Sequence, residues 1–166
     1  MRRRAEALFA AAVPGDRKAA FEAAKASLAL KPMSANGHAV FTRLCAGCHR
    51  FNREGVAVGP DLFDIRNQAK ETILLHLMIP EQEVAPQFQA YDATTTDGRS
   101  LTGLLGADGA AAITLRQGQG LEETIPRSQL KAFAPSALSL MPQELEKAMT
   151  GQEMADLLAY LRGEGE

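Results

Sequence analysis

The sequence has little of the positive charge that binding to polyanions requires. Its 18 lysines and arginines are outnumbered by 20 aspartates and glutamates, which leaves a formal net charge of −2. A strongly basic surface attracts nucleic acid and anionic lipid headgroups, and the composition provides no such excess. We therefore predict no nucleic-acid partner and no electrostatic attachment to a membrane surface.

Long hydrophobic runs are also missing. The longest candidate, ILLHLMIP, is far shorter than the roughly 20 apolar residues that span a bilayer, and it ends at Pro80. We expect no membrane span. The N terminus, MRRRAEALFAAAVPGD, begins like a secretory signal, but Glu6 interrupts its apolar part and no convincing cleavage site follows. It is a poor candidate for a signal peptide.

What is present fits one globular domain, or one domain with an insertion. The chain has 166 residues, of which 46% are hydrophobic, and this length is sufficient to bury a core. Spacing of apolar residues predicts helices over residues 16–30, 34–45 and 68–79. A last helix is predicted to begin at Thr150, which forms a capping box with Glu153.

The region after Pro86 has a different character. Threonines and aliphatic residues stand there in short runs, separated by Asp-Gly pairs at residues 97–98 and 108–109. Asp-Gly between strand-like runs is a strong hairpin signal, because the turn requires positive φ angles. The pattern predicts three or four short antiparallel strands.

Only two residues are cysteine, and both lie in the stretch LCAGCHRF, where a histidine directly follows the second cysteine. This spacing has four interpretations: two buried small hydrophobes, a thioredoxin-like redox pair, half of a zinc site, or the attachment point of a haem. The redox interpretation requires a strand before the motif, where a helix is predicted. Zinc requires four ligands, and the other histidines, His38 and His76, are solitary.

Covalent haem attachment explains the spacing best. The thiols of Cys45 and Cys48 would form thioethers with two vinyl groups on one edge of the porphyrin, which places His49 beneath the iron. His49 is therefore the predicted proximal ligand through one ring nitrogen. The other ring nitrogen is left for a hydrogen-bond acceptor that fixes the orientation of the ring.

Further motifs resemble those of class I c-type cytochromes. VGPDL, residues 58–62, is similar to the Gly-Pro-x-Leu segment of that family, and SLMP, residues 139–142, is similar to its distal methionine loop. The resemblance implies that the carbonyl of Pro60 accepts the N–H of the proximal histidine and that Leu62 lines the haem pocket. It also implies that Met141 is the sixth ligand of the iron.

The order of the motifs resembles still more the haem-binding cytochrome c domain of planctomycete and verrucomicrobial multidomain proteins. The similarity covers residues 37–162 and includes IPEQEVAP, TTDGRSLTGLL, IPRSQL and TGQEMADLLAYL. In that family the domain usually ends a longer chain, so the export signal is expected on the full-length protein. The implied organisation is a helical linker over residues 1–33 and a cytochrome c domain over residues 34–166.

The resemblance also implies the fold and its crossed helices. It predicts a mainly α-helical, class I cytochrome c-like fold with a small antiparallel β insertion at about residues 87–130, before the methionine loop. Gly37 and Phe41 in the second helix, with Tyr160 in the last, are similar to the residues at which the terminal helices of that class cross.

The implied function is one-electron transfer by a single, covalently attached haem c, in a domain that is not itself an enzyme. Methionine ligation raises the reduction potential relative to a second histidine. A fused or docking dehydrogenase would be the redox partner, in the periplasm or another extracytoplasmic compartment. The alternative is a haem peroxidase, or a gas or redox sensor, with an open or labile sixth position.

Some positions in the haem site have rival candidates. His76 is the rival to Met141 as sixth ligand. The haem propionates require donors, and the chain has no tryptophan to serve, although related cytochromes often use one. Arg66 is the first candidate, since arginine forms the strongest hydrogen bonds to carboxylates. It also follows GPDL at about the distance where relatives carry a basic residue. The further candidates are Asn67, Tyr91 and Arg99.

Overall fold

The computed structural model of the protein describes residues 15–164. Its α helices are α1 (Gly15–Ala24), α2 (Ser34–Leu44), α3 (Lys70–Met78) and α4 (Gly151–Leu161). The helices predicted over residues 34–45 and 68–79 are thus confirmed to within two residues at each end. Within the described residues, no helix combines the length and apolarity needed to cross a membrane.

Helices α2 and α4 cross at Gly37, as the family resemblance implies. A Cβ atom at Gly37 would lie 2.6 Å from Tyr160 Cβ and would collide with the backbone of Asp156, so only glycine allows this approach. Phe41 is fully buried at the crossing, with its ring centroid 5.8 Å from that of Tyr160. The crossing joins the helix that leads into the cysteines to the helix that ends the domain.

The predicted capping box at the start of α4 is confirmed. The Thr150 hydroxyl accepts from the backbone N–H of Glu153, and the Glu153 carboxylate accepts from the backbone N–H of Thr150 at 2.7 Å. Two of the N–H groups that a helix start leaves unpaired are thereby satisfied. The cap fixes the point at which the chain enters α4 after the methionine loop.

The strands form two antiparallel sheets. A two-stranded ribbon directly follows the cysteine motif and consists of β1 (Arg50–Phe51) and β2 (Glu54–Gly55). The larger sheet has five strands in the order β6-β5-β4-β3-β7. Its strands are β3 (Ala90–Thr95), β4 (Ser100–Asp108), β5 (Ala112–Arg116), β6 (Glu122–Pro126) and β7 (Leu130–Pro135).

The predicted mainly α-helical, class I cytochrome c-like fold with a small β insertion is wrong. Helices account for 42% and strands for 23% of the structure, and the five-stranded antiparallel sheet makes this an α+β fold. The sheet has its own core, in which Ala93, Ile113, Leu115 and Ile125 are buried. A sheet with its own hydrophobic core is a separate layer of the fold and not a small insertion in a loop.

The sheet also packs against the chain that follows the cysteine motif. Ala90 and Leu104, on neighbouring strands β3 and β4, form a buried cluster with Val58. Val56, in the segment after the cysteine turn, and Leu140, in the methionine loop, pack against the same cluster. One face of the sheet therefore supports both the segment that follows the cysteine motif and the methionine loop.

Helix α1 is tied to the domain by a buried ion pair. The Arg17 side chain is only 4% exposed and forms a double hydrogen bond with the Glu146 carboxylate, at 2.7 and 2.9 Å. It also donates to the carbonyl oxygen of Met78 at the end of α3. One guanidinium thus joins α1, α3 and the segment that follows the methionine loop.

We predict that Arg17→Met destabilises the fold by about 3 kcal/mol, because removing one partner of a buried ion pair leaves the other charge without a partner. The Arg17 hydrogen bond holds the pKa of Glu146 below its usual value. The stabilisation is therefore present above the ordinary carboxylate pKa and declines as pH falls through the lowered one. Urea unfolding at several pH values measures both effects.

Lys147→Met is the matched control for this experiment, since Lys147 forms an exposed ion pair with Glu144 in the same segment. Its expected effect is below about 0.5 kcal/mol, as for other exposed pairs. Equal urea midpoints for Arg17→Met and Lys147→Met would contradict the stabilising role of the buried pair.

Candidate functional site

The two cysteines lie on a turn that continues helix α2. Cys45 caps the helix, with its backbone N–H donating to the carbonyl of Phe41 at 2.8 Å. The backbone N–H groups of Cys48 and His49 both donate to the carbonyl of Cys45, at 3.0 and 2.9 Å. Both thiols are free, with Cys45 buried and Cys48 half-buried. Helix and turn together fix the two thiols and the histidine as one local unit.

The orientation of His49 is set by a backbone carbonyl. Its Nδ1 atom lies 2.8 Å from the carbonyl oxygen of Pro60. A carbonyl only accepts, so Nδ1 carries the hydrogen and Nε2 keeps a free lone pair. Burial lowers the pKa of His49, and the hydrogen bond to Pro60 opposes that shift. Burial therefore favours the neutral ring, and the hydrogen bond leaves Nε2 as the atom available to ligate a metal.

Gly59 provides the space in which the His49 ring lies. A Cβ atom at residue 59 would be 2.6 Å from Cε1 of the ring and 3.2 Å from its Nε2 atom. The backbone N–H of Gly59 donates to the carbonyl of Cys48 at 2.7 Å, which holds this segment against the motif. The Gly-Pro-x-Leu motif predicted roles for Pro60 and Leu62 but none for Gly59, although this glycine directly precedes the proline.

The Cys45 thiol does not have the electrostatics of a reactive cysteine. Burial raises the pKa of Cys45 to about 12, and the neighbouring Cys48 thiol adds to the shift. Reactive cysteines have lowered pKa values, because the thiolate is the nucleophile. Among the described residues, no group of three or more His, Cys, Asp and Glu side chains could hold a metal ion. The geometry favours neither the redox pair nor the zinc site.

Two further predicted residues border the helical core. Leu62 and Met141 are both partly buried and pack against the cluster that contains Phe41 and Leu74. The backbone N–H of Met141 donates to the Ser139 hydroxyl at 3.2 Å, which shapes the methionine loop. His76, the rival ligand, is 38% exposed at the C-terminal end of α3, with Nε2 3.9 Å from a Glu83 carboxylate oxygen.

Two of the four propionate candidates, Arg66 and Tyr91, are placed differently. Arg66 lies beside the β1–β2 ribbon, where it donates to the Asn52 side chain at 2.9 Å and stacks over the Phe63 ring. Tyr91 stacks on Phe133 among the side chains of the sheet's own core. Alternation along β3 puts Tyr91 on the face opposite to that of Ala90. The structure thus brings Arg66, but not Tyr91, beside the chain that follows the motif.

One contact to the motif was not expected from the sequence. The loop between β5 and β6 reaches the cysteine turn, where the backbone N–H of Gln119 donates to the carbonyl of Gly47 at 2.6 Å. A Cβ atom at Gly118 would lie 3.3 Å from Cys48 Sγ. The only available signal was the run Gly118-Gln119-Gly120, which marks a turn but does not indicate what the turn contacts.

Two thiols on one turn, followed by a histidine whose Nε2 is left free, define a site that fits covalent haem. The family model of cytochrome c matches residues 34–164. The chain belongs to the cytochrome c family, whose members bind haem c covalently and generally transfer electrons. A comparison with curated proteins found no match. Domains of this family are typically extracytoplasmic.

We predict that Gly59→Ala displaces the His49 ring. The added Cβ atom would lie 2.6 Å from the ring, and overpacking of this kind costs about 1–3 kcal/mol. Urea unfolding should show that loss, and the absorption spectrum of the haem protein should show weakened histidine ligation.

Gly47→Ala provides the control for Gly59→Ala within the same motif. Its Cβ atom would lie 3.7 Å from Gln119 Cγ, an ordinary contact, so the stability change should remain within about 0.5 kcal/mol. If Gly59→Ala is as stable as Gly47→Ala and has the spectrum of the unchanged protein, the ring does not depend on this space.

Proposed function

We propose that this chain is a mono-haem c-type cytochrome domain that transfers single electrons, with His49 and Met141 as axial ligands. The observation that carries the proposal is the hydrogen bond from His49 Nδ1 to the carbonyl of Pro60, at 2.8 Å. It selects Nε2 as the ligating atom before any haem is present. Cys45 and Cys48 would hold the haem through thioethers, and the bound haem would supply the exchange between ferrous and ferric iron.

Each residue of the proposed site has a defined task. Pro60 accepts the Nδ1 hydrogen and so prevents the ring from rotating, while Leu62 supplies apolar lining next to the helical core. Arg66 is proposed as a donor to a propionate, since its guanidinium lies beside the segment that holds His49. Tyr91 remains a predicted donor, although its ring stacks on Phe133 in the core of the sheet.

Burial and position in the chain together distinguish Met141 from the other described methionines. Met78 and Met154 are 0% and 3% exposed within the helical core, so moving either one would open a cavity. Met33 is 60% exposed and precedes α2. Met149 packs against the core next to the start of α4. Met141 alone among these lies partly buried in the loop that resembles the distal methionine loop.

A methionine and a histidine together would fill the axial positions of the iron. Substrates and O₂ would then be excluded, which suits an electron carrier better than an enzyme. Methionine stabilises ferrous iron, so we propose a higher reduction potential than a second histidine would give. A polar distal group would be expected in an enzyme, whereas Met141 packs among apolar side chains.

The wider setting follows from the motif order. We propose that the domain is of the planctomycete and verrucomicrobial type and serves as the C-terminal electron-transfer module of a dehydrogenase-like protein. Its support is the succession of motifs from residue 37 to residue 162, including the sheet between α3 and the methionine loop. The electron donor would be a fused or docking dehydrogenase, in the periplasm or a comparable extracytoplasmic compartment.

We predict that Met141→Ala abolishes the weak far-red charge-transfer band that methionine gives on ferric haem. Loss of the Met141 sulfur from the iron should also lower the reduction potential, because ferrous iron loses its preferred ligand. Absorption spectra and a redox titration of protein matured with haem in a periplasm measure both. The reduced variant should bind carbon monoxide rapidly at the vacated position.

Met149→Leu is the control for Met141→Ala, since it removes a nearby sulfur but conserves volume. It should keep the far-red band. A far-red band that survives Met141→Ala would reject Met141 as ligand. An unchanged protein that lacks the band and binds carbon monoxide at once would favour a haem peroxidase or gas sensor. His76→Ala tests the remaining rival.

A further inference from the structure

The loop between β5 and β6 covers one side of the cysteine turn. This loop, residues 117–121, contacts the turn at two adjacent positions. Its central N–H, from Gln119, donates to the carbonyl of Gly47 at 2.6 Å. Its first glycine, Gly118, lies so close to Cys48 that an added Cβ atom would be 3.3 Å from Sγ.

The same loop reaches the segment that leads to Gly59. A Cβ atom at Gly120 would lie 3.2 Å from Val56 Cγ1, and the backbone N–H of Val56 donates to the carbonyl of Ala46 at 2.9 Å. The loop therefore spans both segments on which His49 depends, and both of its glycines are at positions of close approach.

Internal hydrogen bonds hold the loop in place. The backbone N–H of Gln117 donates to the carbonyl of Leu121 at 2.7 Å, which closes the loop at its base. The Gln117 side chain donates to the carbonyl of Thr102 on β4 at 3.2 Å. Gln119 itself has φ of +60°, a backbone conformation that favours glycine. A loop braced in this way transmits the position of the sheet to the cysteine turn.

We propose that the Gly118–Gly120 loop is a lid over the Cys48 side of the haem, with Gln119 as its positioning residue. This inference rests on the proposed haem attachment through Cys48. A thioether at Cys48 would join the sulfur to the porphyrin edge, so a loop this close to the sulfur would lie beside that edge. The sheet then determines how much of this edge meets water.

Solvent access at a haem edge has two measurable consequences. Water stabilises the more highly charged ferric form, so exposure lowers the reduction potential. An uncovered edge also allows small redox reagents to approach more closely, which speeds electron exchange with them. A closed lid would give the domain a higher potential and protection from unspecific electron donors.

The first experiment compares Gln119→Pro with Gln119→Gly. Proline removes the N–H that donates to Gly47 and cannot adopt a positive φ, so the lid must lift. Glycine keeps the N–H and favours that φ. We expect Gln119→Pro to lower the reduction potential and to accelerate reduction by a small cobalt complex several-fold. Gln119→Gly should match the unchanged protein in both measurements.

The second experiment compares the glycines at the two ends of β5. Gly118→Ala would place a Cβ atom 3.3 Å from Cys48 Sγ, whereas Gly109→Ala would place one 3.2 Å from the carbonyl oxygen of Ala112. The added Cβ atom would be crowded to a similar degree in both variants, but only at Gly118 would it lie against the cysteine motif. Gly118→Ala should therefore shift the potential and the reduction rate, and Gly109→Ala should change neither.

The outcomes separate the lid from the proposed function. A far-red band in the unchanged protein, with the expected shifts in Gln119→Pro and Gly118→Ala, supports both. Folded variants that keep the potential and the reduction rate of the unchanged protein overturn the lid alone. An unchanged protein that matures without covalent haem overturns the proposed function. Circular dichroism establishes that each variant retains its fold.

Discussion

The hydrogen bond from His49 Nδ1 to the carbonyl oxygen of Pro60 is the interaction on which the rest of the site depends. It decides the tautomer, and the tautomer decides that Nε2 is the atom that can face an iron. The bond requires the chain after the cysteine turn to fold back on it. That return is held by the carbonyl of Cys48, which accepts from the backbone N–H groups of Val58 and Gly59. Cysteine turn and proline segment therefore form one structural unit.

The five-stranded sheet is part of this unit. Ala90 and Leu104 bury one face of the sheet against Val58, directly before the glycine that accommodates the histidine ring. The loop between β5 and β6 then contacts the cysteine turn from another side. A displacement of the sheet would move both ends of the segment that orients His49. In this family member, the surroundings of the proposed haem site are built by a β layer as much as by helices.

Local signals carried the sequence predictions, and non-local contacts limited them. The capping box at Thr150 and the cysteine turn involve residues that are close in the chain. The glycine at the helix crossing is recognisable because only a residue without a side chain fits there. The sheet was underestimated because its edge strand, β7, has mostly exposed residues and ends at Pro135, so it lacks the alternation that marks a half-buried strand. The contact of Gln119 with Gly47 joins residues 72 positions apart, and no local pattern indicates such a pairing.

The core of the domain extends beyond the residues that match the family. The match begins at residue 34, but Phe21 is buried in the same cluster as Phe41 and Leu158. Arg17 connects α1 to the end of α3 and to Glu146, five residues after Met141. A chain segment is free to move only as far as its fixed ends permit. Arg17 holds Glu146 after Met141, and Leu140 before it packs against the cluster of Val58, Ala90 and Leu104. These two contacts therefore limit how far Met141 can move. The proposed sixth ligand is thus restrained by helix α1, which precedes the residues that match the family, and by the β sheet.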